Sequence, residues 1–211
     1  MGHLLVIRHG ETEWNREEVF RGRVDVGLSA RGRRQAELVA GTLRGTPIEA
    51  VYSSPLARAR DTAGPVGESK GLRVVLDERL VDMNFGQWEG RARAEIESGQ
   101  PELYAQWLEE PERFRVPGGE SLPEVVARAW PALEEIGARH AQGVAVVLSH
   151  RVVCKLVLCK AMGVGEAGFW RVRVETASIS ALETAGRKWV VTRVNDTHHL
   201  AALGGGDQAD F

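Results

Sequence analysis

The sequence predicts an α/β fold: a three-layer α/β/α sandwich with a mostly parallel central sheet and a small inserted cap. Short apolar runs alternate with longer stretches of helical period, the pattern of a sheet covered by helices and not of two packed sheets. The first half of the chain reads β-α-β-α-β. Two uniformly apolar runs, Leu4-Leu5-Val6-Ile7 and Val144 to Leu148, have the composition of strands buried on both faces.

Taken in order, His3 to Arg8 is the first strand. Ser29 caps a helix from Ala30 to Leu43, with Ala36, Leu38, Val39 and Leu43 as its inward stripe. Glu49 to Ser53 reads as a second strand, Pro55 as part of the first turn of the next helix, and Arg73 to Leu76 as a third strand. From Val81 to Gly119 the chain is richer in Trp, Pro and charge than its neighbours, as expected of an inserted cap with short helices. Ser121-Leu122-Pro123-Glu124 has capping-box spacing and opens an amphipathic helix through Val125, Val126, Ala129, Trp130, Leu133 and Ile136, with a bend expected near Pro131. Gly143 to Ser149 is another strand, followed by a helix through Val152, Val153, Leu156, Val157 and Cys159. Ser178 to Leu182 and Trp189 to Val194, joined across Ala185-Gly186-Arg187, form an edge hairpin, which offers a surface for pairing two subunits as a homodimer. One domain over residues 1–203 is expected, with a disordered tail from Gly204 to Phe211.

Composition bounds the function. The 211 residues carry Lys+Arg 27 against Asp+Glu 29, a net charge of -2, and 43% hydrophobic residues. A nucleic-acid binder needs a basic surplus to displace counterions, and a disordered chain has high net charge with few apolar residues; neither fits. A chain of this length buries roughly 70% of its unfolded surface, enough for one large core. No apolar run approaches the ~20 residues of a membrane helix, and the first residues lack the regions of a secretory signal. Cys154 and Cys159, five residues apart on a helix, sit beyond the ~7 Å limit for a disulfide, so a reduced, cytoplasmic protein is expected.

Both strongly apolar strands end in histidine, in Ile7-Arg8-His9-Gly10 and Leu148-Ser149-His150-Arg151. Ligands of open α/β sheets bind beyond the carboxyl ends of the strands, so His9 and His150 are candidates to face one crevice. Ser53-Ser54-Pro55-Leu56-Ala57-Arg58 delivers an arginine toward the same edge. With Arg8, Arg58, both imidazoles and Asn15, the pocket reads as one for a phosphoryl dianion, because planar guanidinium forks match phosphate oxygens in pairs.

The chain resembles the histidine phosphatase superfamily, which includes cofactor-dependent phosphoglycerate mutases and many small phosphatases. The resemblance rests on Arg8-His9-Gly10-Glu11-Thr12-Glu13-Trp14-Asn15, Phe20-Arg21-Gly22 with Asp25, and Leu28-Ser29-Ala30-Arg31-Gly32. It continues through Ser54-Pro55-Leu56-Ala57-Arg58-Ala59 with Thr62-Ala63, Phe85-Gly86-Gln87-Trp88-Glu89-Gly90, Pro117-Gly118-Gly119-Glu120-Ser121 and Ser149-His150, to Asn195-Asp196-Thr197-His198-His199-Leu200. It implies that His9 is the nucleophile, that Arg8, Asn15, Arg58 and His150 hold the phosphoryl oxygens, and that neither a metal nor another cofactor is needed. Adjacent strand residues face opposite ways, which argues against a metal at His198-His199.

The resemblance also implies a carboxylic acid that protonates the leaving oxygen, usually a glutamate three residues before Phe-Gly. Here that position is Asp82, one methylene shorter, and it is preferred to Glu89 or Glu120. The alternative is that Asp82 is a surface carboxylate. Arg21 before Gly22, and Arg151 after His150, replace the residues many relatives carry. Each either adds a cation at the rim of the substrate-binding pocket or faces solvent. If they line the rim, the substrate carries a second anionic group such as a carboxylate.

Three functions follow: a metal-independent phosphomonoesterase acting on a small phosphorylated metabolite through a phosphohistidine, a phosphoglycerate mutase, or a phospholigand-binding protein. The Arg91 to Pro117 segment, only 27 residues between Gly90 and Gly118, is short for a mutase cap that must exclude water, and this favours hydrolysis.

Overall fold

A computed structural model of the chain describes residues 2–185 and 188–204. Its strands are β1 (Gly2–Arg8), β2 (Ile48–Ser53), β3 (Val74–Leu76), β4 (Val144–Ser149), β5 (Ile179–Ala185) and β6 (Lys188–Asp196). They form one six-stranded sheet in the order β3-β2-β4-β1-β5-β6. The four strands from β3 to β1 run parallel, whereas β5 and β6 add antiparallel at the edge. The predicted mostly parallel sheet is present, with the hairpin at its edge.

Alternation along the central strands divides their side chains between two layers. Leu4, Val6, Ala145 and Val147 face a core shared with helices α6 (Leu122–Arg139) and α7 (Arg151–Ala161). Ile7, Val146 and Leu148 face a second core with α2 (Ala30–Thr42) and α3 (Ala57–Lys70), which supply Val39, Ala40, Ala63 and Val66. This is the three-layer arrangement.

The expected insertion contains α4 (Arg93–Gly99) and α5 (Pro101–Glu109). Phe85, Trp88, Ile96, Tyr104, Trp107 and Phe114 belong to the same apolar cluster as α6, α7 and the sheet. Trp107 alone meets Phe85, Phe114, Phe169 and Trp170 with ring centroids 5.2–6.0 Å apart. The aromatic insertion is therefore continuous with the core.

Three readings need correction. Pro55 precedes the helix instead of opening it: α3 begins at Ala57, whose N–H donates to Asp25 Oδ1 at 2.7 Å, so a distant carboxylate sets the start. His198–Leu203 is a 3₁₀ turn and not part of a strand, and His199 Nε2 lies 3.1 Å from the Ala177 carbonyl oxygen. A short helix, α1 (Glu13–Arg16), was not anticipated; Asn15 Oδ1 accepts from both the N–H and the Oγ1 of Thr12, each at 2.9 Å. The helix of α6 runs on through Pro131. The hairpin turn at Gly186-Arg187 and the tail beyond Gly204 lie outside the described residues. Arg31 donates to the carbonyls of Leu203 and Gly204 at the end of the described chain.

Candidate active site

Neighbouring strands bring the two histidines together. β1 and β4 pair in parallel with Arg8 opposite Ser149, so the next residues, His9 and His150, leave the sheet side by side. The His9 N–H donates to Ser149 O at 2.9 Å, and the two imidazole centroids are 5.2 Å apart. On the other flank β2 pairs with β4, and Ser54 just beyond it places its Oγ 2.8 Å from His150 Nε2. Both histidines are fully buried.

The tautomer of His9 follows from its partner. Its Nδ1 lies 2.7 Å from Gly10 O, and a carbonyl only accepts, so Nδ1 carries the proton. Nε2 keeps its lone pair and has no hydrogen-bond partner among the described residues, although it is buried. Burial, reinforced by the charges of Arg58, Arg8 and Arg21, holds His9 well below the usual histidine range. His150 is held low for the same first reason, then by Arg58, His9, Arg21 and Arg128. Both rings are neutral at pH 7.

Around them stand buried cations. Arg58 is fully buried; it donates from Nη1 to Val24 O and from Nη2 to Gly22 O and Asp82 Oδ2, the last at 3.2 Å. Arg8 donates to Val174 O at 2.6 Å. The backbone turn after β1 is held in place by Thr62, whose Oγ1 accepts from Gly10 N and donates to Arg58 O, and by Gln35, whose Oε1 accepts from Glu11 N. None of Ser54, Thr62 and Gln35 was singled out from sequence, although Ser54 and Thr62 stand inside the motifs quoted.

Arg21, Asp82 and Arg151 line one pocket together with Phe20, Phe85 and Val152. The solvent-facing alternatives for these three residues fail, since each is buried. Burial first, then the charges of Arg8, Arg58 and Arg151, lower Arg21 well below the usual guanidinium range. The Arg151 guanidinium lies 6.0 Å from the ring centroid of Trp170. Gly22 is required where it stands: its φ is 51°, and a Cβ there would run into the Glu89 carboxylate.

Asp82 Oδ2 is 3.2 Å from Arg58 Nη2 and 3.7 Å from His150 Nδ1, while Oδ1 accepts from Met83 N. The two competing carboxylates are otherwise engaged. Glu89 Oε1 accepts from the N–H groups of Arg23 and Phe85, and Glu120 accepts from Asn84 N and pairs with Arg128. Among the described residues no group of three or more His, Cys, Asp or Glu side chains is placed to hold a metal ion. Cys154 and Cys159 are buried, and burial pushes their thiols up to about 12 and about 11.

Comparison with known proteins agrees with this geometry. Residues 4–197 match the profile of the histidine phosphatase superfamily (branch 1). Phosphoserine phosphatase 1 of Hydrogenobacter thermophilus is 36% identical over 200 residues, spanning 95% of both chains. A mycobacterial glucosyl-3-phosphoglycerate phosphatase solved with VO3 superposes with a TM-score of 0.85 at 29% identity, covering 92% of this chain and 99% of that one. A mutant phosphoserine phosphatase of Entamoeba histolytica, solved with phosphoserine, superposes with a TM-score of 0.85 at 27% identity, covering 95% of this chain and 100% of that one. The paired histidines, the buried arginines and a family match over nearly the whole chain lead to one conclusion: this protein belongs to branch 1 of the histidine phosphatase superfamily.

Proposed function

We propose that the chain is a phosphomonoesterase that hydrolyses a small phosphorylated metabolite through a phosphohistidine at His9. The observation that carries this reading is the buried Nε2 of His9, its lone pair without a hydrogen-bond partner among the described residues, under the charges of Arg58, Arg8 and Arg21, and its tautomer fixed by Gly10 O. Arg8, Asn15, Arg58 and His150 would bind the phosphoryl oxygens. With Asn15 Oδ1 committed to Thr12, its amide NH2 is the end left to donate. Ser54 Oγ lies 2.8 Å from His150 Nε2, and the other ring nitrogen, Nδ1, stands beside Asp82.

In the first step Nε2 of His9 forms a bond to phosphorus. The ester P–O bond breaks, and the leaving oxygen keeps its electron pair and takes the proton of Asp82. In the second step the Asp82 carboxylate accepts a proton from water as that water's oxygen attacks phosphorus. The N–P bond breaks toward Nε2, inorganic phosphate departs, and Asp82 is again protonated. Preorganised cations offset the charge that develops on the phosphoryl oxygens.

The pocket also suggests the substrate class. Arg21 and Arg151 add two buried cations beyond those assigned to the phosphoryl group. They suit a metabolite with a second anionic group, and the substrates named for the phosphoserine and glucosyl-3-phosphoglycerate phosphatases each carry a carboxylate. The short insertion, packed into the core, favours hydrolysis over mutase chemistry.

A phosphate-release screen over phosphorylated metabolites, run with and without chelator and beside a mutase assay, tests this. The expected result is chelator-insensitive phosphate release that falls by at least about 10³-fold in His9→Ala. Near-wild-type turnover in that variant, or an isomerised phosphoester as the main product, would overturn the reading.

A further inference from the structure

Four consecutive carbonyls of the segment that carries Asp82 are held by side chains. Arg128 Nη1 donates to Arg79 O and Val81 O, each at 2.8 Å, and Nη2 donates to Asp82 O at 2.9 Å. The carbonyl between them, Leu80 O, accepts from Ser149 Oγ at 2.7 Å. The remaining donors of Arg128 reach Glu120, Nε at 2.8 Å and Nη2 at 3.0 Å. A guanidinium has five N–H donors, and all of those of Arg128 are engaged in this one structure.

Glu120 completes the clamp. Its Oε2 accepts from Asn84 N at 2.8 Å, and its Oε1 lies 3.2 Å from Arg23 Nη2. Burial pushes the Glu120 carboxyl up, but Arg128, the Asn84 N–H and Arg23 outweigh it and hold the group below its ordinary value. The carboxylate therefore stays ionised and keeps gripping both partners. Arg128 holds the carbonyl side of residues 79–82 while Glu120 holds the N–H of Asn84, so the backbone on either side of the Asp82 side chain is fixed from α6 and from the residue just before its N-cap.

We propose that Arg128 is a positioning residue for the leaving-group acid, and that its fork on the 79–82 carbonyls sets where the short Asp82 side chain ends. This rests on the assignment of Asp82 as that acid. Aspartate has one methylene less to adjust than the glutamate usual at this position, so the location of its carboxyl is dictated by its backbone. A displacement of ~1 Å at a reacting group can cost about 10²-fold in rate. Arg128 itself has no donor left for a ligand, and none of its hydrogen bonds goes to His9, Arg8, Arg58 or His150.

The charge of Arg128 does act on His150, so the test must separate charge from fork. Arg128→Lys keeps the charge and loses the planar grip. Turnover is measured on an alkyl phosphate, whose departure needs an acid, and on 4-nitrophenyl phosphate, whose departure does not. Four proteins are compared: wild type, Asp82→Asn, Arg128→Lys and the double variant. Asp82→Asn is expected to slow the alkyl ester by about 10²–10³-fold and the aryl ester far less. Arg128→Lys is expected to lower kcat on the alkyl ester by about 10-fold or more, with KM and aryl turnover within about 3-fold of wild type. The double variant should be no slower on the alkyl ester than Asp82→Asn alone, because both changes act through one group.

If Asp82→Asn keeps its selectivity but Arg128→Lys costs both esters equally, costs neither, or adds fully to Asp82→Asn, the positioning role is overturned and the acid stands. If Asp82→Asn slows both esters alike, the acid assignment itself is lost. Should Arg128→Lys not fold, Glu120→Gln, which keeps the charge of Arg128 and removes the carboxylate that aims its fork, carries the same comparison.

Discussion

At the scale of single residues, chemistry depends on which nitrogen is open and which carboxylate stands in the pocket. Glu89 and Glu120 are as acidic in sequence as Asp82, yet of the three it is Asp82 that lines the pocket with Arg21 and Arg151, whereas Glu89 Oε1 accepts from backbone N–H groups and Glu120 pairs with Arg128. Arg21 and Arg151 are where the substrate preference is expected to reside. Replacing either with alanine should lower kcat/KM for phosphoserine or 3-phosphoglycerate by about 10-fold or more, as expected for the loss of a charge-assisted contact, and change that for an uncharged alkyl phosphate by less than about 3-fold. Equal losses on charged and uncharged esters would refute the second-anion reading. The meeting of His9, His150 and Arg58 was legible because a histidine after a buried strand, or an arginine opening a helix, has a place dictated by the sheet, whereas Asp82 was pointed to by the family resemblance alone. Arg128 was not legible: a charged residue beside an apolar helical stripe reads as solvated until the carbonyls it grips are folded against it.

At the scale of elements, the strands and long helices followed from periodicity, whereas short pieces did not. Helix α1 has four residues and exists through the Thr12–Asn15 bonds and its surroundings, since an isolated turn of helix does not repay its nucleation cost. The start of α3 was misplaced because the group that caps it, Asp25, is remote in sequence. The contact between α2 and the turn after β1 has a sharper consequence. A Cβ on Gly32 would collide with the Glu11 carbonyl, and Gly10 packs against the Gly32 backbone. Gly32→Ala is expected to destabilise the fold by about 1–3 kcal/mol and to lower kcat more than KM, because the His9-Gly10 turn must shift. Thermal melting beside steady-state kinetics checks this, and a wild-type Tm would contradict it.

At the scale of the whole molecule, the buried cationic pocket is a cost the fold must carry. His9 and His150 are neutral when folded, with values well below the ordinary ~6.5 at which the unfolded chain would protonate them. Below about pH 6.5 the unfolded state therefore binds more protons, and stability falls as pH drops toward the folded values, by up to about 1.4 kcal/mol per unit for each histidine. Tm should fall between pH 7 and pH 5, and substituting asparagine for both histidines should flatten that fall. His199, also lowered by burial, would supply a remaining slope. An unchanged slope in the double variant would show that other groups control it. The near-zero net charge of the chain gave no warning of this pocket, because surface acids cancel its arginines in the total but not locally.

The continuity of the aromatic insertion with the sheet core bears on how such a protein can diversify. Trp88, Trp107 and Phe114 cannot change to suit a new substrate without opening a cavity beneath the sheet, so drift in that segment is taxed in folding. Arg21 and Arg151 hold their cations on the pocket wall, Arg151 against Trp170 at the edge of this aromatic cluster. New specificities should arise there first, by exchange of one or two side chains over a foundation that stays put.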